Sequence, residues 1–417
     1  MRLLKLIMTP QTILLILIAL AIANYGFEIV LEILNLKESK KPLSQEAGAI
    51  YEPEKYKKSM EYQAVQTKFG FISGGFSFSI SLLFLALGGF GWLNDLLLPY
   101  IADNSFRALA FFGILFIVSD IISIPFQWYG TFVIEEKFGF NKTTPKLFVL
   151  DKIKGYALGA LLGGVLLYLL LLLLTTLGTQ FWWVFWLVIT AFMLFMNMFY
   201  TTLIMPLFNK LTPLEEGELR LAIEEYSKKV DFPLTNIFVI DGSKRSSKAN
   251  AFFAGFGKKK KVVLYDTLIE NHSIEELVAI FAHEVGHYKK KHIIGSLVSS
   301  ILQTGAMLYI MSLFIFNKSL SIALGASELQ LHLNLIAFTM LYAPISFITS
   351  IFSNVVSRKN EFEADRFAIE TTNPNDLPKA LKKLSVDNLS NLQPHPAYVF
   401  FHYSHPPLLK RLEAMKK

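Results

Sequence analysis

Apolar residues along this chain gather into long runs almost free of charge. Seven runs are long enough to cross a bilayer, which takes about 20 helical residues per crossing: 6–35, 69–100, 107–134, 155–177, 180–208, 293–317 and 329–357. Residues 155–209 carry no charge at all and read as two crossings joined by a turn over 175–180. The first run is too long for a signal peptide and has no convincing small-residue cleavage site, so it is expected to stay in the protein.

Between the fifth and sixth runs the pattern changes. From Glu215 to Lys229, Leu219, Leu221, Ala222 and Tyr226 mark an amphipathic helix. Ile237–Ile240, closed by the turn pair Asp241-Gly242, reads as a strand, and so does Val262–Tyr265. Ser273 followed by Glu276 is a capping box, and Leu277, Ile280, Phe281 and Val285 repeat at helical spacing behind it. A helix over Ser273–Lys291 beside a small sheet or ribbon is therefore predicted. After Lys289-Lys290-Lys291-His292 the sequence turns apolar for a full span, so this helix is expected to continue into the membrane. Residues 357–368, just past the last span, read as another helix. The fold class is an all-α multi-pass membrane protein with a small α+β extramembrane domain. Its divisions are 1–209 (five spans), 210–292 (catalytic domain), 293–357 (two spans) and 358–417 (C-terminal segment).

Composition sharpens this reading. The 417 residues are 53% hydrophobic and include no cysteine, which excludes disulfides and any thiolate metal site. The net charge of +7 does not point to a nucleic-acid partner. Loops 37–68 and 135–154, segment 210–292 and tail 358–417 hold 36 of the 40 Lys and Arg residues. These alternate regions lie on one side, and the positive-inside rule makes that side cytoplasmic. The N-terminus then faces out, with Arg2 and Lys5 arguing mildly against it. Such a chain belongs in a bacterial inner membrane or an endoplasmic reticulum membrane. Asp120 falls deep in the third run and calls for a polar interior. Glu28 and Glu32 sit near the end of the first, where the helix is emerging from the bilayer.

The candidate chemistry lies in His283-Glu284-Val285-Gly286-His287. Residues i and i+4 share a helix face, so the two imidazoles are spaced to grip one Zn2+ ion, with Glu284 beside it to move a proton. Gly286 leaves room either for the metal or for a close helix. A catalytic zinc takes three protein ligands, and the third must come from elsewhere. Glu361 and Asp365 share a face of the 357–368 helix, as a ligand and a partner for a zinc histidine would, whereas Glu363 points elsewhere. Of the other histidines, His292 in its basic cluster reads as interfacial, His332 as a polar contact inside the last span, and His395 and His402 as structural. The backbone after His405 is fixed by Pro406 and Pro407.

Together H-E-V-G-H, S-R-x-x-E-F-x-A-D from Ser357 and S-H-P-P-L-x-x-R-L from Ser404 resemble the integral-membrane zinc metalloproteases of the M48 class. Residues 131–141, 241–247, 250–253 and 266–268 are similar to the CAAX prenyl protease 1 branch in particular. The shorter M48 heat-shock proteases have fewer spans and lack the 132–141 block. The resemblance implies seven long helices around a water-filled chamber, with the metal site at its cytoplasmic end. It implies Glu361 as third ligand, Asn250 on the substrate backbone, and His405 with Arg411 lining the site. It further implies protein or peptide substrates prenylated at a C-terminal Cys-a-a-X. A broad membrane-protein quality-control protease, or a zinc-binding chaperone without activity, would share these parts.

Overall fold

The computed structural model describes residues 9–232, 237–254 and 261–416. Arg2, Lys5, Lys258–Lys260 and Lys417, counted above among the charges, lie outside them. The described chain is mostly helical, with one four-stranded sheet. Its long helices are α1 (Pro10–Glu38), α2 (Pro53–Ala86), α3 (Asn104–Tyr129), α4 (Pro145–Leu158), α5 (Gly164–Leu177) and α6 (Phe181–Phe199). There follow α7 (Glu218–Lys229), α8 (Ile274–Lys289), α9 (His292–Phe314), α10 (Leu331–Thr371), α11 (Asp376–Asp387), α12 (Pro396–His402) and α13 (Leu408–Met415).

Among the described residues, six helical stretches rather than seven are long and apolar enough to span a membrane. The difference arises at the fourth and fifth runs, which lie in one 64-residue stretch, Pro145–Phe208. A single turn of 3-10 helix at Gly178–Gln180 divides that stretch. Gly178 enters the turn at φ +54°, where a β-carbon would be strained. Leu170, Leu171 and Leu174 of α5 then pack with Phe181 and Phe185 of α6. The second run also shifts: α2 starts at Pro53 and stops at Ala86, and Gly89–Leu97 forms a separate short helix.

Asp120 of α3 has the polar surroundings expected of it. Lys152 Nζ of α4 lies 2.6 Å from its carboxylate, Gln127 Nε2 donates to it at 3.1 Å, and Tyr156 Oη donates as well. Glu28 and Glu32 grip α12. The Glu28 carboxylate is 3.2 Å from His402 Nε2, and Tyr398 Oη donates to Glu32 at 2.9 Å. His395 caps α12 by accepting from Ala397 N, which gives both histidines the structural role read from the sequence.

The sheet has the order β1-β2-β4-β3, with β1 Leu211–Pro213, β2 Ile237–Ile240, β3 Ala251–Ala254 and β4 Lys261–Tyr265. β2 and β4 are parallel; β1 and β3 are antiparallel to their neighbours. β4 is covered on both faces, which explains its unbroken Val262-Val263-Leu264 run. Val262 and Leu264 join Leu277, Phe281 and Val285 of α8 and Ile223 of α7 in the main core. Val263 faces Met205 and Ile240 on the other side. β3 is left as the edge nearest α8.

Two junctions position the site. α8 does not run on into the membrane as its sequence predicts. It ends at Lys289, Lys291 takes the left-handed conformation at φ +60°, and α9 starts afresh at His292. α10, by contrast, is unbroken for 41 residues and joins the last span directly to the 357–368 helix. At 1.5 Å per residue it is roughly 60 Å long.

Candidate metal centre

The capping box anticipated for α8 is formed. Ser273 Oγ accepts from Glu276 N, and the Glu276 carboxylate accepts from Ser273 N. With its start pinned and its apolar face buried, α8 carries His283 and His287 on one side, their Nε2 atoms 3.1 Å apart. α10 packs across them and brings Glu361. Its Oε1 lies 3.2 Å from His287 Nε2 and its Oε2 3.5 Å from His283 Nε2. Glu361 is almost fully buried, and its Oε2 accepts no hydrogen bond.

These three residues suit a zinc ion. Tetrahedral bonds of about 2.0–2.2 Å set donor atoms about 3.3–3.6 Å apart, close to the spacings found. The orphaned Oε2 is an acceptor waiting for a cation. Asp365 Oδ1 lies 2.9 Å from His283 Nδ1, which fixes the proton there and leaves the Nε2 lone pair turned inward. Burial disfavours the His283 imidazolium, yet Asp365 and Glu361 outweigh that and raise its pKa to about 9, so a metal must displace a proton from Nε2 to find that lone pair.

The other anticipated residues gather around this triad. Burial pushes the Glu284 carboxyl above the usual carboxylate range, against the pull of His283 and His287. Arg411 of α13 forms two bonds to Asp365, Nε at 2.8 Å and an Nη at 2.5 Å, and reaches within 3.5 Å of Glu361. His405 Nε2 is 3.3 Å from Glu361 Oε1 while its ring stays exposed at the mouth of the site. Asn250 is exposed just ahead of edge strand β3, its own carbonyl paired with Tyr265 N.

Residues 32–210 match the family model described as CAAX prenyl protease N-terminal, five membrane helices, and residues 213–417 match Peptidase family M48. The CAAX prenyl protease 1 homolog of Arabidopsis thaliana is 35% identical, over 94% of this chain and 95% of its own. The CAAX prenyl protease 1 of Saccharomyces cerevisiae is 33% identical, over 96% and 94%. The chain belongs to the CAAX prenyl protease 1 family of M48 peptidases. The crystal structure of S. mikatae Ste24p superposes with a TM-score of 0.92 at 32% identity, covering 97% of this chain and 99% of that one. As an M48 peptidase the protein is a zinc metalloendopeptidase, and its apolar spans make it an integral membrane protein.

The M48 motif glycine, Gly286, proves to be a packing residue. A β-carbon there would sit 3.0 Å from Ala364 Cα, 3.1 Å from Ala364 O and 3.3 Å from Phe367 Cβ. α8 and α10 can approach this closely only with no side chain between them. Gly286→Val should force them apart, costing about 1–3 kcal/mol and drawing Glu361 away from the histidines. Thermal unfolding and bound zinc should both fall; if only stability falls, the glycine does not set the metal geometry.

One residue near the M48 motif departs from its sequence reading. His292 is buried against the site, with its Nδ1 3.0 Å from His287 Nδ1. Glu363 lies off the face shared by Glu361 and Asp365, and its Oε2 is 3.2 Å from His292 Nε2. The one signal was a third histidine soon after the motif, and its placement depends on the break at Lys291.

Proposed function

We propose that this protein removes the last three residues from proteins or peptides ending in a prenylated Cys-a-a-X sequence. The observation that carries this is the convergence of His283, His287 and Glu361, whose ligand atoms lie within 4.8 Å of one another beside an intact Glu284. The relatives named above are CAAX prenyl proteases along nearly their whole length, which supports this substrate class over a broad quality-control protease.

One zinc per chain would be held by those three residues. When bound, it polarises the attacking water and the scissile carbonyl. Glu284 takes the proton from that water and passes it to the leaving amine. His405 donates a hydrogen bond to the oxygen that gains charge. Asn250 and strand β3 pair with the substrate backbone by strand addition, for which an unpaired edge is the requirement. Asp365 and Arg411 hold the ring of His283. Beside His287, Phe252, Met193, Met196 and Tyr200 line a cavity of about 710 Å³, an apolar place for a lipid tail.

In this reading the chain crosses the bilayer seven times around a chamber, with α5 and α6 as separate crossings. Residues 1–209 and 293–357 form the membrane part; 210–292 and 358–417 form the catalytic part on the cytoplasmic side.

The test is cleavage of two matched peptides, one farnesylated at its Cys-a-a-X end and one bare, with Glu284→Gln protein as blank. Release of the terminal tripeptide from the farnesylated peptide alone is expected. Equal cleavage of both would point to a broad membrane protease. No cleavage above the blank, with zinc bound, would mean a protein without this activity.

A further inference from the structure

We propose that His292 is a positioning residue of the metal centre: it holds the ring of His287 and is itself held by Glu363. This rests on the zinc-site reading above and extends it from three ligands to the groups that orient them. His283 has Asp365 behind it. Among the described residues no carboxylate stands behind His287 Nδ1, which faces His292 Nδ1 at 3.0 Å instead. The far nitrogen of His292 lies 3.2 Å from Glu363 Oε2.

The two ends of this chain of contacts fix every proton in it. The Glu363 carboxylate oxygen is the acceptor in this contact, so His292 carries its proton on Nε2 and donates it there. His292 Nδ1 is then a bare lone pair, and it accepts from His287 Nδ1. His287 Nε2 is left unprotonated and turned toward Glu361 and His283, the one tautomer able to ligate a metal. Glu363, His292 and His287 thus impose on the second metal histidine what Asp365 alone imposes on the first.

The backbone is shaped for this contact. Had α8 continued, His292 would sit five residues past His287, about 140° away around the helix and out of reach. The left-handed turn at Lys291 ends α8 and folds the start of α9 back, so that the two rings meet edge-on at a centroid distance of 5.2 Å and an angle of 73°. His292 is 9% exposed, so little of its binding capacity is spent on water.

The test measures zinc affinity of purified full-length protein in detergent by competition with a chelator, together with the visible absorption of the Co2+-substituted form. His292→Leu should bind zinc about 10–100-fold more weakly, as loss of an outer partner does, and shift the Co2+ bands. Glu363→Ala, at a half-exposed position that tolerates change, should move both readouts the same way by less. His292→Gln should recover most of the affinity, because its amide can accept from His287 and donate to Glu363. A purely structural role would lower metal-free thermal stability and show no such rescue. If His292→Leu fails to fold, Glu363→Ala and His292→Gln decide. Wild-type affinity and an unchanged Co2+ spectrum in the foldable variants would overturn the proposal while leaving the zinc site standing. Failure of the wild-type protein to bind zinc would overturn the site itself.

Discussion

Glu284→Gln lowers turnover by about 10²- to 10⁴-fold, the range for losing a general acid–base group, and leaves zinc content at the wild-type level. Gln keeps the shape of the side chain and a hydrogen-bonding oxygen but cannot take a proton. None of the three ligand atoms belongs to Glu284, so the metal has no reason to leave. The carboxyl is raised by burial, so removing its charge relieves rather than strains the fold. Metal analysis and peptide cleavage on the same preparation make the check. Full activity in this variant would discard the assignment of Glu284 as base.

Glu361→Ala strips the zinc. It removes one ligand of three from a site with no cysteine to replace it. The neighbouring carboxylates are already engaged: Asp365 by Arg411 and His283, Glu363 by His292. Activity should vanish together with the metal, and dialysis of the wild-type protein against a chelator should reproduce the same inactive state. Readdition of zinc should restore the dialysed wild type and not the variant. Stoichiometric zinc in Glu361→Ala would transfer the ligand role to Glu363 or Asp365.

The two halves of the candidate metal centre were legible in the sequence because each is local, while the resemblance joined them. His283 and His287 are bound by helical period alone, as are Glu361 and Asp365, and the Ser273–Glu276 box announces the helix that carries the first pair. The break between α8 and α9 was not legible. Lys289, Lys290 and Lys291 are good helix formers, and no Gly or Pro marks the left-handed turn at Lys291. Missing the turn meant missing His292, since a continuous helix would aim it elsewhere. Gly286 stood out as a gap, but what fills the gap, Ala364 and Phe367, lies some eighty residues further along the chain. The turn read at 175–180 matches the 3-10 turn at Gly178–Gln180, but that single turn leaves the fourth and fifth runs in one long helical stretch.

The unbroken α10 acts as a measuring rod. Glu361 stands thirty residues beyond Leu331, about 45 Å along the axis, while the hydrocarbon core of a bilayer is about 30 Å thick. Pro344 lies within this length and removes one of its hydrogen bonds, so about 45 Å is an upper bound and Glu361 is held at most about 15 Å beyond the lipid. In the proposed reaction the bond cut adjoins the prenylated Cys itself, so no length of peptide separates the anchor from the metal. The tail must then leave the bilayer and rise to the level of Glu361, where Met193, Met196 and Phe252 line the cavity beside His287.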